Sequence, residues 1–193
     1  MRPGSGSLPV GNAVLLILLA VLGYAGHARA SDAITAEPGG AAYHYVSHYS
    51  VEIAASASAV WPHLLNMGAW MYEFEMSPVR GNPGEEGEVR RLYPGQDFMV
   101  QIVKVIPNRL LVIANLPSTF NEEYATGVGV ITLHEVDGRT GVDLTMSRRY
   151  SWQGIGPNPQ QQTRESADFR EQTRAMWEDR FLGRLRSLAE SSI

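Results

Sequence analysis

The segment from Met76 to Trp152 constrains the fold most, because it predicts six successive strands and leaves no room for a helix between them. Its apolar stretches are separated by Pro94-Gly95, Pro107-Asn108 and Asp137-Gly138, which are dipeptides typical of tight turns. Neighbouring parallel strands would need crossover connections of about a dozen residues or more. The spacing therefore predicts an antiparallel sheet.

Short helices are predicted before this segment. Alternation from Tyr43 to Ile53 indicates a first strand, and either Ser56 or Ser58 can cap the helix that follows. We prefer Ser58, because Pro62 then lies nearer the first turn, where a missing N–H costs least. We expect this helix to end near Asn66-Met67-Gly68, where the glycine supplies a C-terminal stop. A second short apolar segment follows it.

The C-terminal part of the chain, from about Thr163 to Ser191, changes to a helical period. Its apolar stripe consists of Trp177, Phe181, Leu185 and Leu188. The predicted fold class is therefore α+β, with a curved antiparallel sheet of about seven strands around one long C-terminal helix, and two short helices after the first strand. Since one helix does not fill a strongly curved sheet, we expect a cavity between the two.

Residues 1–30 are predicted to be a secretory signal peptide. They contain Arg2, an apolar run of 13 residues and the small-x-small pattern Ala28-Arg29-Ala30, so we expect cleavage after Ala30. The apolar run is shorter than the ~20 residues of a membrane-spanning helix. We therefore expect an exported protein, periplasmic or secreted, with no stable membrane span after cleavage.

The domain organisation follows from this boundary. Residues 31–42 are small and polar and contain Gly and Pro, which is typical of a flexible leader. Residues 43–193 form one predicted domain. The chain has no Cys, so its stability must come from its core without disulfides.

The charge of the chain argues against a nucleic-acid partner. Its formal net charge is −4, from 16 basic and 20 acidic residues. Without the two Arg of the signal segment the balance is 14 − 20 = −6. An acidic chain without a cluster of Lys or Arg is a poor candidate for nucleic acid or an anionic lipid surface.

Several segments resemble the SRPBCC superfamily, the START-like or helix-grip proteins. The run IAASASAVWPHLLNMGAW (53–70) is similar to the start of such domains, where small residues and a Val-Trp pair follow a strand. GEEGEVRRL (84–92) is similar to a Gly-x-Gly-x-x-Arg strand start, with one extra residue. IPNRLLV (106–112) and EVDGRTGVDLTM (135–146) resemble the family's turn and hairpin. The resemblance covers about 46–190.

This resemblance implies a helix-grip fold, with the polyketide cyclase/dehydrase and lipid-transport proteins as the nearest branch. The superfamily includes transfer proteins, hormone receptors, cyclases and oxygenase domains, so the fold does not select one function. The His-rich metal ligands of its ring-hydroxylating members have no counterpart in this sequence.

Arg148 is the most informative candidate for ligand binding, because it shares an apolar row with Val142, Leu144 and Met146. A buried Arg needs a partner, which could be an acidic or carbonyl group of a ligand or a nearby acid such as Glu73. The side chain could also lie in solvent beyond the sheet edge. The candidates for the cavity lining are Trp70, Tyr72, Phe74, Arg91, Tyr93, Arg148, Tyr150, Phe169, Thr173, Met176 and Trp177. Core packing would explain the aromatic members equally well.

No metal, cofactor or catalytic set is predicted. His44 and His48 lie four residues apart on a strand, about 13 Å, which is too far to share a metal ion. Gly127-Val128-Gly129 lies in a strand pattern, so close backbone approach explains its glycines better than a phosphate-binding loop.

The strand predicted around residues 98–106 has an ambiguous inner face. Val100, Ile102 and Ile106 share a row with Lys104, whereas Val103 and Val105 lie in the opposite row. The sequence does not decide which of the two rows faces the interior.

These patterns predict an exported binding or transfer protein for a hydrophobic or amphipathic small molecule, such as a lipid, a sterol-like or a polyketide-like compound. One alternative is a cofactor-independent cyclase or dehydratase that uses the same cavity. In that case Arg91, Arg148 or Tyr150 would polarise a carbonyl, and Glu73 or His63 would move a proton. A second alternative is an envelope interaction protein with a vestigial cavity.

Overall fold

The computed structural model is an antiparallel sheet of eight strands with a C-terminal helix packed against one face. It describes residues 33–36, 42–116, 126–151 and 171–192, which belong to one compact unit. Side chains are described for 44–116, 127–148 and 171–192. The predicted signal segment lies outside the described residues.

The elements follow one another in an almost continuous meander. The strand order is β1-β2-β8-β7-β6-β5-β4-β3, and each neighbouring pair is antiparallel. In chain order the elements are β1 Ala33–Ala36, β2 Ala42–Ile53, α1 Ala57–Leu65, α2 Met67–Trp70, β3 Ser77–Arg80, β4 Val89–Arg91, β5 Met99–Ile106, β6 Leu110–Asn115, β7 Thr126–Val136, β8 Arg139–Ser151 and the C-terminal helix α3, residues 171–190.

The predicted fold class is confirmed, with eight strands in place of about seven. The additional strand is β1, which lies inside the segment predicted as a leader and pairs with β2 through Ile34 and Tyr45. The turn between β7 and β8 is made by Asp137 and Gly138, with φ of 51° and 73°. Positive φ at both central residues is the conformation that a two-residue hairpin requires.

The cap of α1 is Ser56, so the preference for Ser58 was wrong. The Ser56 side chain accepts from the Ala59 N–H, and its carbonyl accepts from the N–H groups of Ala59 and Val60. Pro62 is therefore the sixth helical residue, and the carbonyl four residues before it loses its usual partner. The short helix tolerates this loss because Val60 and Leu64 are fully buried.

The end of α1 lies where it was predicted, but Gly68 does not supply the stop, which is a second correction. The helix ends at Asn66, whose backbone breaks the helical path with ψ of 63°, and Gly68 lies inside α2. Trp70 closes α2 inside the core, where its indole N–H donates to the Leu64 carbonyl at 3.1 Å. This bond explains why the two short helices form one unit.

A register shift in β5 between Ile102 and Lys104 removes the ambiguity of that strand. Val100 and Ile102 are buried before the shift, and Val105 packs against the core after it. A bulge changes which parity faces inward along one strand, so neither regular alternation fits the whole segment.

The C-terminal part of α3 fills the inner face of the sheet. Phe181, Leu182, Leu185 and Ala189 are fully buried in one cluster with residues of β2 and β8. The Glu190 carboxylate accepts from the Ala54 N–H at 2.8 Å, which fixes the end of the helix at the end of β2. Among the described residues, no helix is long and apolar enough to cross a membrane.

Candidate functional site

The polar part of the sheet–helix interior lies on three paired rows of β2 and β8. Tyr45 is opposite Arg148, Ser47 is opposite Met146, and Tyr49 is opposite Leu144. Directly paired residues project from the same face of a sheet. Tyr49 and Leu144 belong to the core cluster against α3, so all three rows face the helix.

Trp177 of α3 spans these rows. Its ring stacks on Tyr49, with centroids 6.0 Å apart, and the Arg148 guanidinium carbon lies 5.8 Å from its ring centroid. Tyr49 and Arg148 belong to rows on either side of the middle row. The indole therefore lies across the row formed by Ser47 and Met146.

Ser47 Oγ and Trp177 Nε1 are among the buried polar atoms that have no hydrogen-bond partner in the described part of the chain, and their residues are 1% and 3% exposed. An unsatisfied buried polar group costs about 1–3 kcal/mol, so native proteins retain few of them. The pair lies on facing surfaces, one on the sheet and one on the helix.

Glycines on β7 leave the sheet without side chains beside these rows. Gly127 is opposite Arg148 and Gly129 is opposite Met146. A Cβ on Gly127 would lie 3.1 Å from Arg148 Cγ, and one on Gly129 would lie 3.1 Å from Ile113 Cγ1. The structure thus shows close approach at both glycines, and the first one gives the Arg148 side chain room to cross the sheet.

The helix around Trp177 is π-helical over Ala175–Leu182. Such π-helical segments are rare in proteins, and many of them occur at functional sites. The wider turn changes which side chains of the helix face inward. Arg174 immediately precedes the segment; it donates to Glu178 at 2.9 Å and lies 5.8 Å from the Tyr49 ring centroid. Thr173 is buried one residue earlier, so this part of the helix is closely held on the sheet.

A line of aromatic contacts extends from this site to the turn between β4 and β5. Its members, each in ring contact with the next, are Tyr49, Trp177, Phe181, Phe74, Tyr93 and Phe98. Burial, followed by the charge of Glu73, raises the pKa of Tyr93 above its ordinary value of 10.0. The folded protein therefore disfavours ionisation of the phenol at this end of the line.

Most of the described candidate residues fall into two groups. Arg148, Thr173, Met176 and Trp177 belong to the polar end of the interior, or to the helix that covers it. Phe74 and Tyr93 belong to the aromatic line, and Tyr72 contacts Phe181 at its edge while 52% exposed. Trp70 is a fully buried core residue, and Arg91 lies on β4 opposite Met99. The Tyr150 side chain and Phe169 lie outside the described residues.

Ser47 is the site residue that the sequence analysis missed. The alternation of β2 contained the signal, because Ser47 falls between Tyr45 and Tyr49 in the inward row. A small polar residue inside an aromatic row places a hydroxyl group at the inner surface.

Glu73, considered for proton transfer, and His44 and His48, considered as metal ligands, lie elsewhere. Glu73 accepts from Arg180 at 3.0 Å, with its side chain 37% exposed. His48 Nδ1 is 3.0 Å from Thr145 Oγ1, and His44 is exposed. In the described ranges, no three His, Cys, Asp or Glu side chains lie close enough together to hold a metal ion.

A separate groove of about 710 Å³ runs along the outer side of α3. It is open to solvent and is lined by Ala69, Tyr72, Asp179, Arg180, Gly183, Arg184, Arg186 and Ser187. Its mixed charged lining differs from the largely apolar sheet–helix interior.

Comparison with known proteins identifies the fold. Neither a protein-family model nor a curated protein matches the sequence. An uncharacterised protein of Rhizobium leguminosarum superposes with a TM-score of 0.52 at 13% identity, over 78% of this chain and 97% of that chain. Norcoclaurine synthase from Thalictrum flavum superposes with a TM-score of 0.50 at 12% identity, over 100% of this chain and 95% of that chain. A protein from Nitrosospira multiformis superposes with a TM-score of 0.50 at 18% identity, over 76% of this chain and 97% of that chain. These likenesses show the fold alone, and they confirm the predicted helix-grip α+β arrangement.

Proposed function

We propose that this protein binds a hydrophobic or amphipathic small molecule between the inner face of the sheet and α3, and acts as an exported binding or transfer protein. The SRPBCC superfamily, whose resemblance lies in the sequence motifs, is the family that we propose for it. The norcoclaurine synthase of similar fold has been solved in complex with dopamine and hydroxybenzaldehyde. That complex supports a small-molecule site in this fold.

The observation that carries the proposal is the position of Arg148. Its side chain is half-buried on the helix-facing surface of β8, opposite a glycine, with its guanidinium beside the Trp177 ring. A charged group at the end of an apolar, aromatic-lined interior is the arrangement that binds an amphipathic ligand in a fixed orientation.

Binding is favoured over catalysis by the positions of the candidate proton-transfer groups. Glu73 is held by Arg180 at the surface, and His63 lies on α1. A general acid or base must reach the substrate directly or through one water molecule. The interior around Arg148 therefore has a polar anchor without these two groups, which supports a carrier over a cyclase.

Binding can be measured with N-phenyl-1-naphthylamine, a neutral apolar probe that fluoresces in an apolar environment. We expect a saturable increase at one probe per chain. Ser47→Met should abolish it by filling the inner surface, and Ser50→Met, on the opposite face of β2, should leave it unchanged. Circular dichroism would verify folding, and Ser47→Val is a smaller replacement if the methionine variant does not fold. An absence of saturable binding by the folded wild-type protein would contradict the proposal.

Export has its own test. N-terminal sequencing of the protein isolated from its native cells should find Ser31 as the first residue, in the periplasmic or secreted fraction. A protein that retains residues 1–30 in the cytoplasmic fraction would contradict export and leave the ligand site unaffected.

A further inference from the structure

The unsatisfied groups of Ser47 and Trp177 indicate which part of a ligand lies between the sheet and the helix. Trp177 Nε1 is a donor with no acceptor capacity, and the Ser47 hydroxyl can donate or accept. In the described part of the chain neither has a partner, although both residues are more than nine-tenths buried. The folded protein therefore has two unused hydrogen-bonding groups in its sheet–helix interior.

Three contacts place these groups on one part of the inner surface. Trp177 stacks on Tyr49, which is two residues after Ser47 on the same face of β2. Trp177 also lies beside Arg148, which is two residues after Met146, the partner of Ser47. A ligand atom that reaches the row of Ser47 and Met146 is therefore covered by the indole.

The surrounding side chains determine which ligand atom fits. Leu144 and Met146 lie along the same face and Gly129 adds no side chain, whereas Tyr45 and Tyr49 flank Ser47 on β2. Arg148 places a positive charge at the edge of this area. A positive charge favours an atom with negative partial charge and disfavours a donor group.

We infer that Ser47 and Trp177 form a hydrogen-bonding subsite for a carbonyl-type oxygen, that of an aldehyde, a ketone or a carboxylate, at one end of an otherwise apolar ligand. This inference rests on the proposed function and adds the chemical class of the ligand to it. An sp² oxygen has two lone pairs and no hydrogen of its own, so it can accept from both residues.

Two probes of nearly equal size and shape test the subsite. 2-Acetylnaphthalene carries a carbonyl group, and 2-ethylnaphthalene has a methylene in its place. Binding to the full-length protein would be measured by competition with N-phenyl-1-naphthylamine. The ketone should bind more tightly by about three- to tenfold, the net effect of one or two hydrogen bonds. Ser47→Ala and Trp177→Phe should each reduce this preference, which is the ratio of the two dissociation constants measured within each variant.

Stability supplies a second readout that an ordinary structural hydroxyl would not give. Because the Ser47 hydroxyl has no partner in the described chain, Ser47→Ala should not lower the melting temperature of the ligand-free protein. Thr140→Val is the matched control, since the buried Thr140 hydroxyl donates to the Ala55 carbonyl at 2.7 Å. This control should lower the melting temperature and leave the preference for the ketone unchanged.

The infrared C=O stretch of the bound ketone tests the contact directly. In the wild-type protein the stretch should shift to lower frequency than in an aprotic solvent. In Ser47→Ala and Trp177→Phe it should lie closer to the frequency found in that solvent.

The outcomes separate this inference from the proposed function. Equal affinities for the two naphthalenes, or a preference that both variants retain, would overturn the subsite and leave the ligand-binding function intact. If neither naphthalene binds while N-phenyl-1-naphthylamine does, the subsite is overturned alone. If no probe binds, both proposals are overturned.

Discussion

The guanidinium carbon of Arg148 lies 5.8 Å from the centre of the Trp177 ring, and this contact joins β8 to the C-terminal helix where the interior changes character. Beyond Trp177 toward the C-terminus, the inward residues of the helix are fully buried apolar side chains. At Trp177 and before it, polar groups face the sheet. The pair therefore marks the boundary between the packed core and the proposed ligand site.

Replacing Arg148 by Ala should weaken the binding of an acidic amphiphile more than it destabilises the protein. Loss of the cation–π contact should lower the free energy of unfolding by about 0.5–2 kcal/mol. The dissociation constant for dodecanoate should rise by about tenfold or more, because a charge-assisted hydrogen bond is lost. Isothermal titration calorimetry and urea unfolding give the two quantities.

Arg139→Ala is the control for this change, because Arg139 lies on the same strand but pairs with Glu52 at the surface. Arg139→Ala should change neither the free energy of unfolding nor the dissociation constant for dodecanoate appreciably. If Arg148→Ala lowers stability while the affinity for dodecanoate stays the same, Arg148 is a structural residue.

Leu185 should be a principal stabilising contact of the helix. Its side chain is fully buried between α3 and the sheet, so Leu185→Ala should lower the free energy of unfolding by about 2–5 kcal/mol. Leu188→Ala should cost less, because Leu188 is partly exposed. Urea unfolding of both variants measures the difference, and a larger loss at Leu188 would contradict the described orientation of the helix.

The cap of α1 gives an independent test of local structure. Ser56→Ala should lower the free energy of unfolding by about 1 kcal/mol, because the Ala59 N–H loses its side-chain acceptor. Ser58→Ala should have little effect, since the exposed Ser58 hydroxyl bonds to the Ser56 hydroxyl and to no backbone group in the described chain. Chemical denaturation distinguishes the two, and a greater cost at Ser58 would assign the cap to that residue.

The raised pKa of Tyr93 predicts that the protein loses stability at alkaline pH. Its pKa is raised in the folded state, first by burial and then by Glu73, so the folded protein favours the neutral phenol. Below pH 10.0, the ordinary value, the phenol is mostly neutral in both states and its contribution is intact. As the pH rises further, the unfolded chain loses its proton more readily, and stability falls.

The measurement is the melting temperature of wild type and Tyr93→Phe at neutral pH and just above pH 10. The wild-type value should fall further than that of the variant, because phenylalanine has no proton to release. Parallel decreases in the two proteins would show that Tyr93 does not contribute to the alkaline transition.

The hairpins of this fold can be predicted from the sequence because their turns depend on local chemistry. Asp137 and Gly138 both adopt positive φ, as their residue types favour, and the antiparallel meander follows from such short connections. The choice between Ser56 and Ser58 could not be made in the same way. The buried side chains of Val60 and Leu64 determine the helix start there, in spite of Pro62.

The candidate site was only partly predictable. Arg148 is evident from the alternation of β8, because a charge interrupts an apolar row. The importance of Ser47 depends on Trp177, which is 130 residues away in the chain, and no local pattern contains that contact. The bulge after Ile102 is likewise set by pairing with β6, and strand periodicity alone cannot locate it.

Native mass spectrometry of the protein isolated under non-denaturing conditions from its native cells tests the central claim most directly. The claim predicts a species heavier than the polypeptide by the mass of one small molecule, which is released as an apolar or amphipathic compound when the protein is unfolded. Ser47→Met, isolated in the same way, should lack this added mass. Wild-type protein that carries no such compound, and that takes up none from a total lipid extract of the same cells, would contradict the account.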